Sequence, residues 1–159
     1  MLKEIKRSVR LFMEKYRKFD FYLAGPMRGY PKLNGEMFSL AARLIRSNGR
    51  TVWSPAEHNS YLDLSFAQCM TADLNAVIVN CRRIALLPGW RDSLGANMEA
   101  FCAFACGKEA VEIVLNEDKT NFEFISVDLS RYALPYNPEK NRQFDPHNCD
   151  LHSFDQKSS

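Results

Sequence analysis

The sequence predicts an α/β fold: a doubly wound parallel sheet of four to five strands with helices on both faces. Three observations predict it. Short strand-like runs at residues 19–24, 50–54, 84–87 and 110–115 alternate with longer stretches of helical period. The first run, FDFYLA, and the third, IALL, are mostly apolar, as suits central parallel strands covered on both faces. Each of these two ends in a loop containing Gly and Pro, at the sheet edge where such folds bind ligands.

The elements follow in order. In residues 2–17, Leu2, Ile5, Val9, Phe12 and Tyr16 share one helical face. Residues 1–18 hold seven Lys or Arg against two Glu, a charge of +5, and the remaining residues carry 14 basic against 17 acidic side chains, or −3. This basic amphipathic helix is expected to pack its apolar stripe on the domain and turn its cations to water. Contact with nucleic acid or an acidic partner is its other use. After the strand at 19–24, Gly25-Pro26-Met27-Arg28-Gly29 breaks the chain. Asn34 is a suitable N-cap for a helix with Met37, Ala41, Leu44 and Ile45 inward, ended by Asn48-Gly49. Pro55 stops the strand at 50–54, and residues 56–62 form a loop. A second helix is expected from about Asp63 to Asn80, with a stripe of Phe66, Met70, Leu74, Val77 and Ile78. Pro88 and Gly89 end the strand at 84–87. Asp92 or Ser93 then caps a helix running to about Cys106, with Gly107 as its stop and Met98, Phe101, Cys102 and Ala105 at core spacing. A strand at 110–115 follows, and residues 122–127 offer a fifth. The domain so read spans 19–127, and residues 128–159 read as an extended arm ending in disorder.

Composition narrows the function. A chain of 159 residues suffices for one domain with a core, and 46% apolar and 25% charged residues are ordinary for a soluble protein. No run approaches the roughly 18 apolar residues of a membrane span. The basic N-terminus lacks the apolar centre of a signal peptide, so a cytosolic setting without membrane contact is expected. Five cysteines without a Cys-x-x-Cys pair agree, and Cys102 and Cys106 are expected to pack as small apolar residues. His58, His147 and His152 show no zinc spacing with them, so neither a metal nor a cofactor is expected.

Three candidates carry chemistry. Glu99 stands on the helix after the 88–93 loop, one turn above Gly95 and off the apolar stripe. The loop leads into a helix N-terminus, whose free N–H groups favour an anion. Either Glu99 is a solvated helix residue, or it is a carboxylate beside an anion site. Asp73 sits next to a buried stripe. It is either a border residue paired with Arg82 or Arg83, or a carboxylate held in the core for use. Arg28, flanked by two glycines after a strand, suits close approach to a phosphate, or is an exposed turn residue.

The segments YLAGPMRG, NGEMF and LLPGWRDSLGANMEAFCAFACG, with an Asp on the intervening helix, resemble the nucleoside 2-deoxyribosyltransferase-like family. The resemblance covers about residues 19–115 and lies nearest a largely phage-encoded branch. It implies a Rossmann/flavodoxin-like fold and cleavage of N-glycosidic bonds. It also implies that Glu99 is the nucleophile on the sugar, Asp73 assists proton transfer at the leaving base, and Tyr22 orients the nucleophile. In the related 2'-deoxynucleoside 5'-phosphate N-hydrolases an Arg and a Ser at the places of Arg28 and Ser93 contact the 5'-phosphate. The expected substrate contacts are Gly25, Pro26, Met27, Arg28, Asn34, Phe38, Trp90, Ser93 and Gly95, with Trp90 or Phe38 stacking on the base. Relatives of this kind are dimers or larger, which implies a homo-oligomer. The expectation is therefore a hydrolase of a (deoxy)nucleoside 5'-monophosphate, ahead of a transferase to a second base. The alternatives are a non-catalytic nucleotide-binding protein and a nucleic-acid-associated accessory protein using the N-terminal helix.

Overall fold

The computed structural model describes residues 1–58 and 64–131. Ten main elements succeed one another: α1 (Leu2–Tyr16), β1 (Phe19–Ala24), α2 (Gly35–Ser47), β2 (Val52–Trp53), the short α3 (Pro55–His58), α4 (Phe66–Asn75), β3 (Cys81–Leu86), α5 (Leu94–Ala105), β4 (Glu109–Leu115) and β5 (Phe122–Val127). The strands form one sheet in the order β2-β1-β3-β4-β5, parallel except for β5, which returns antiparallel along β4. An order of 2-1-3-4-5 is the flavodoxin-like winding, with its switch between β1 and β3.

The alternation of side chains along β1 divides the core. Phe21 and Leu23 join Phe38, Ala41, Ala42 and Ile45 of α2 on one face. Tyr22 and Ala24 join Ala76, Val77, Ala96, Ala100 and Ala103 on the other. Tyr22 is thereby aimed at α5 while its neighbours build the opposite layer.

Several expectations change. On the α1 stripe, Ile5 is 53% and Val9 56% exposed, so these two are not packed on the domain as expected. The two sheet faces beside β1 are occupied by α2 and by α5 with residues 76 and 77. The end of α1 is tied down by the Lys18 N–H, which donates to the Asn80 carbonyl, and by Asn80 Nδ2, which donates to the Tyr16 carbonyl. The second strand shrinks to Val52–Trp53. Thr51 is engaged with Asp20, its Oγ1 accepting from the Asp20 N–H at 2.9 Å and its own N–H donating to Asp20 Oδ2 at 2.9 Å.

The expected start of the second helix at Asp63 lies outside the described residues. Within them α4 opens at Phe66, where Ser65 and Gln68 form a reciprocal capping box. Its end is a π-helical turn, Ala76–Asn80, rather than more α-helix. Helix α5 is capped by Ser93, whose Oγ accepts from the Ala96 N–H at 3.3 Å, and it ends before Gly107 at φ +65°. Its buried face is Ala96, Glu99, Ala100 and Ala103, rotated from the expected one: Met98 and Cys106 are exposed, and Phe101, Cys102 and Ala105 only half-buried. Alanines win the inward face because small side chains let the helix backbone lie close on the sheet, which the bulkier row would hold away. The arm expected over 128–159 is described only to Arg131, through a 3-10 turn at Leu129–Arg131; the rest lies outside the described residues. Among the described residues no helix is long and apolar enough to cross a membrane.

Candidate active site

The site forms where β1 and β3 end. The Leu87 N–H donates to the Ala24 carbonyl at 2.8 Å, extending the pairing of the two strands into their loops. This closeness dictates Gly25: a Cβ there would stand 2.8 Å from Leu87 Cβ. Beyond it Pro26 is buried, and its carbonyl accepts from Asn34 Nδ2 at 2.8 Å. Asn34 therefore braces the loop and does not cap α2. It has left-handed backbone (φ 57°, after Lys32 and Leu33 at 49° and 54°), whereas a capping residue keeps extended dihedrals. On the β3 side, Asn97 Nδ2 reaches back to the carbonyls of Arg91 and Ser93 at 2.8 and 2.7 Å, fixing the loop before α5.

Between these loops and α4 lies a cavity of about 380 Å³. Two carboxylates form part of its wall. Glu99 is 5% exposed and Asp73 2% exposed. The Tyr22 hydroxyl donates to Glu99 Oε1 at 2.8 Å from behind. Burial pushes the Glu99 carboxyl well above the usual range, and the Asp73 charge pushes it further; the Tyr22 hydrogen bond opposes both. Asp73 belongs to the buried row Cys69, Met70, Asp73, Ala76 and Val77, not to its border. Of the two arginines weighed as its partners, Arg83 pairs instead with Glu109 at 2.7 Å.

The remaining wall has two characters. Ser93, Leu94, Gly95 and Ala96 present the N-terminal turn of α5, and Arg28 is on the loop opposite. The first N–H groups of a helix lack intrahelical acceptors and carry its positive end. Met27, Phe38, Pro55, Phe66 and Met70 supply apolar surface. The cavity thus joins a wall with two carboxyl groups, Asp73 and Glu99, to the N-terminal turn of α5 and Arg28, with apolar surface between. Asp92 also lines it.

Of the residues singled out in the sequence, Glu99, Asp73, Gly25, Met27, Arg28, Phe38, Ser93 and Gly95 line this one cavity. Tyr22 stands behind Glu99, and Pro26 and Asn34 brace the first loop. Trp90 does not join them. The 3-10 turn Trp90–Asp92 carries its indole toward β4, where Nε1 donates to Glu112 Oε1 at 2.9 Å and the ring lines a neighbouring groove. Of the two aromatic residues expected to face a base, Trp90 and Phe38, Phe38 is the one that lines the cavity.

Phe66, Cys69, Met70, Pro55, Asp92 and Leu94 line the cavity without having been expected there. A signal existed for some of them. The pattern Ser65-x-x-Gln68 marks a helix start, and from it Phe66, Met70 and Asp73 fall at i, i+4 and i+7 on one face.

Searches of curated proteins and of solved structures returned no match. Residues 19–112, more than half the chain, match the family model described as a domain of unknown function, DUF4406, covering β1 through most of β4 and every cavity residue named above. The chain belongs to the DUF4406 family.

Proposed function

We propose that this chain cleaves the N-glycosidic bond of a (deoxy)nucleoside 5'-monophosphate, with Glu99 as the nucleophile on the sugar. The observation that carries the reading is the pairing of two buried carboxylates with one tyrosine donor in a cavity that also exposes a helix N-terminus and an arginine. The resemblance to nucleoside 2-deoxyribosyltransferase-like proteins points the same way.

The chemistry follows from the arrangement. Each of the two carboxylates disfavours charge on the other, so the pair holds its last proton more tightly than a lone carboxyl would. The Tyr22 hydrogen bond favours charge on Glu99, which leaves that proton to Asp73. Glu99 attacks the anomeric carbon as the bond to the base breaks, and Asp73 delivers its proton to the departing nitrogen. The product is a glycosyl ester on Glu99 and free base. Water then attacks the same carbon, gives its proton back to Asp73, and releases Glu99 with the sugar phosphate. Ser93, the α5 N-terminus and Arg28 hold the 5'-phosphate. Hydrolysis is favoured over transfer to a second base because Arg28 and Ser93 suit a phosphate better than the free hydroxyl of a nucleoside.

The test incubates the protein with matched nucleosides and 5'-monophosphates and measures free base by chromatography. Base is expected from monophosphates, and none from Glu99→Gln, whose amide is a poor nucleophile of similar shape. Equal rates on nucleosides and monophosphates would remove the phosphate from the reading. Binding without base release, with every member of the panel, would remove the chemistry.

A further inference from the structure

We propose that Phe66 sets the preference for a phosphorylated substrate by holding the Arg28 guanidinium over the cavity. The inference rests on the reading of Arg28 as a phosphate contact.

Arg28 is an exposed residue between Gly25 and Gly29, on a loop held by the Asn34 side chain at the Pro26 carbonyl and by the Tyr30 N–H at the Met27 carbonyl. Among the described residues it forms no ion pair. A long, unpaired side chain on such a loop would sample many rotamers and lose that entropy on binding an anion. Arg28 lies beside the first turn of α4, the positive end of a helix, where a cation is disfavoured. The group that meets it there is the Phe66 ring, with the guanidinium carbon 5.0 Å from the ring centroid. A planar guanidinium over an aromatic face at that distance is attracted by the ring quadrupole and keeps its N–H edge free to donate. The other neighbour is Cys69, one turn further along α4. Burial and Asp73 raise the Cys69 thiol pKa, so it stays neutral and offers Arg28 only a weak acceptor.

Phe66 itself is fixed by the capping box at Ser65 and Gln68, and its Cε2 reaches within 3.8 Å of the position a Gly95 Cβ would take. The ring therefore bridges the α4 start to the α5 start, and aligns Arg28 with the helix N-terminus assigned to the same phosphate. Phe66 is a positioning residue: it touches the phosphate only through Arg28.

The experiment compares wild type, Phe66→Leu and Phe66→Tyr on a monophosphate and its nucleoside, and records the Arg28 Nε–H resonance of each by NMR. Phe66→Leu is expected to raise KM for the monophosphate about 3- to 10-fold with little change in kcat, and to leave kcat/KM for the nucleoside alone. Phe66→Tyr is expected to restore both KM and the upfield ring shift of the Arg28 resonance. Equal losses on both substrates, an unshifted Arg28 resonance in wild type, or a Leu variant that keeps wild-type KM would overturn the inference. Wild type showing no preference for the monophosphate would overturn it together with the phosphate assignment. A preference undiminished in Phe66→Leu overturns the inference alone.

Discussion

Replacing Tyr22 by Phe isolates the smallest part of the proposed machinery. The ring is fully buried and its hydroxyl donates at 2.8 Å to Glu99 Oε1, so the substitution removes one oxygen and leaves the packing. A hydrogen bond to a charged group contributes about 1.5–3 kcal/mol, and here it favours the ionised nucleophile against burial and Asp73. Without it, Glu99 must give up its proton at higher pH. The acid limb of the kcat/KM profile should therefore move upward in pH. Below that limb the variant should lose about 10- to 100-fold relative to wild type, and the gap should narrow as pH rises. Measuring kcat/KM for the preferred monophosphate across the limb, with the fold checked by circular dichroism, decides it. A loss of the same size at every pH, or a limb displaced to lower pH, would refute the electrostatic role and leave Tyr22 as a spacer.

Glu99→Gln should stabilise the protein as it disables it. The carboxyl has its ordinary pKa when unfolded and a raised one when folded, so the folded chain binds the extra proton between the two. Stability is then fullest below the unfolded value and declines as pH rises through the folded one; the glutamine variant lacks that decline. Its melting temperature should exceed that of wild type by a margin that grows with pH, about 2–4 °C for each kcal/mol relieved. A margin independent of pH would count against a strained carboxyl. Gly25→Ala should cost about 1–3 kcal/mol in urea unfolding, because the added carbon meets Leu87 Cβ at 2.8 Å and the two loops must part. Unchanged stability would mean the loops yield freely.

Strands and loops were legible where a single residue type leaves few choices. A mostly apolar FDFYLA has nowhere to sit but the middle of a covered sheet, and it does. A cap at Asp92 or Ser93 was legible ahead of the helical run, and Ser93 is the one whose Oγ accepts from the Ala96 N–H. Legibility failed where two faces of one helix were both plausible. On α5 the larger row of Met98, Phe101, Cys102 and Ala105 resembles a core stripe, yet close approach to the sheet selects the alanine row and buries Glu99 with it. The same error concealed the site's strongest feature, since a carboxylate on an inward face is costly and calls for a use. Trp90 followed from composition rather than geometry: an aromatic in a loop at the right edge can face either way, and Glu112, distant in sequence, settles the direction. Asn34 misled because Asn serves equally as a cap and as a left-handed turn residue.

The proposed covalent step can be tested directly. Wild-type protein mixed with excess monophosphate, quenched in acid within one turnover and digested, should yield a peptide containing Glu99 that is heavier by one sugar phosphate. The adduct should be absent from Glu99→Gln, which should release no base. Base released by that variant at the wild-type rate would contradict the account at its root.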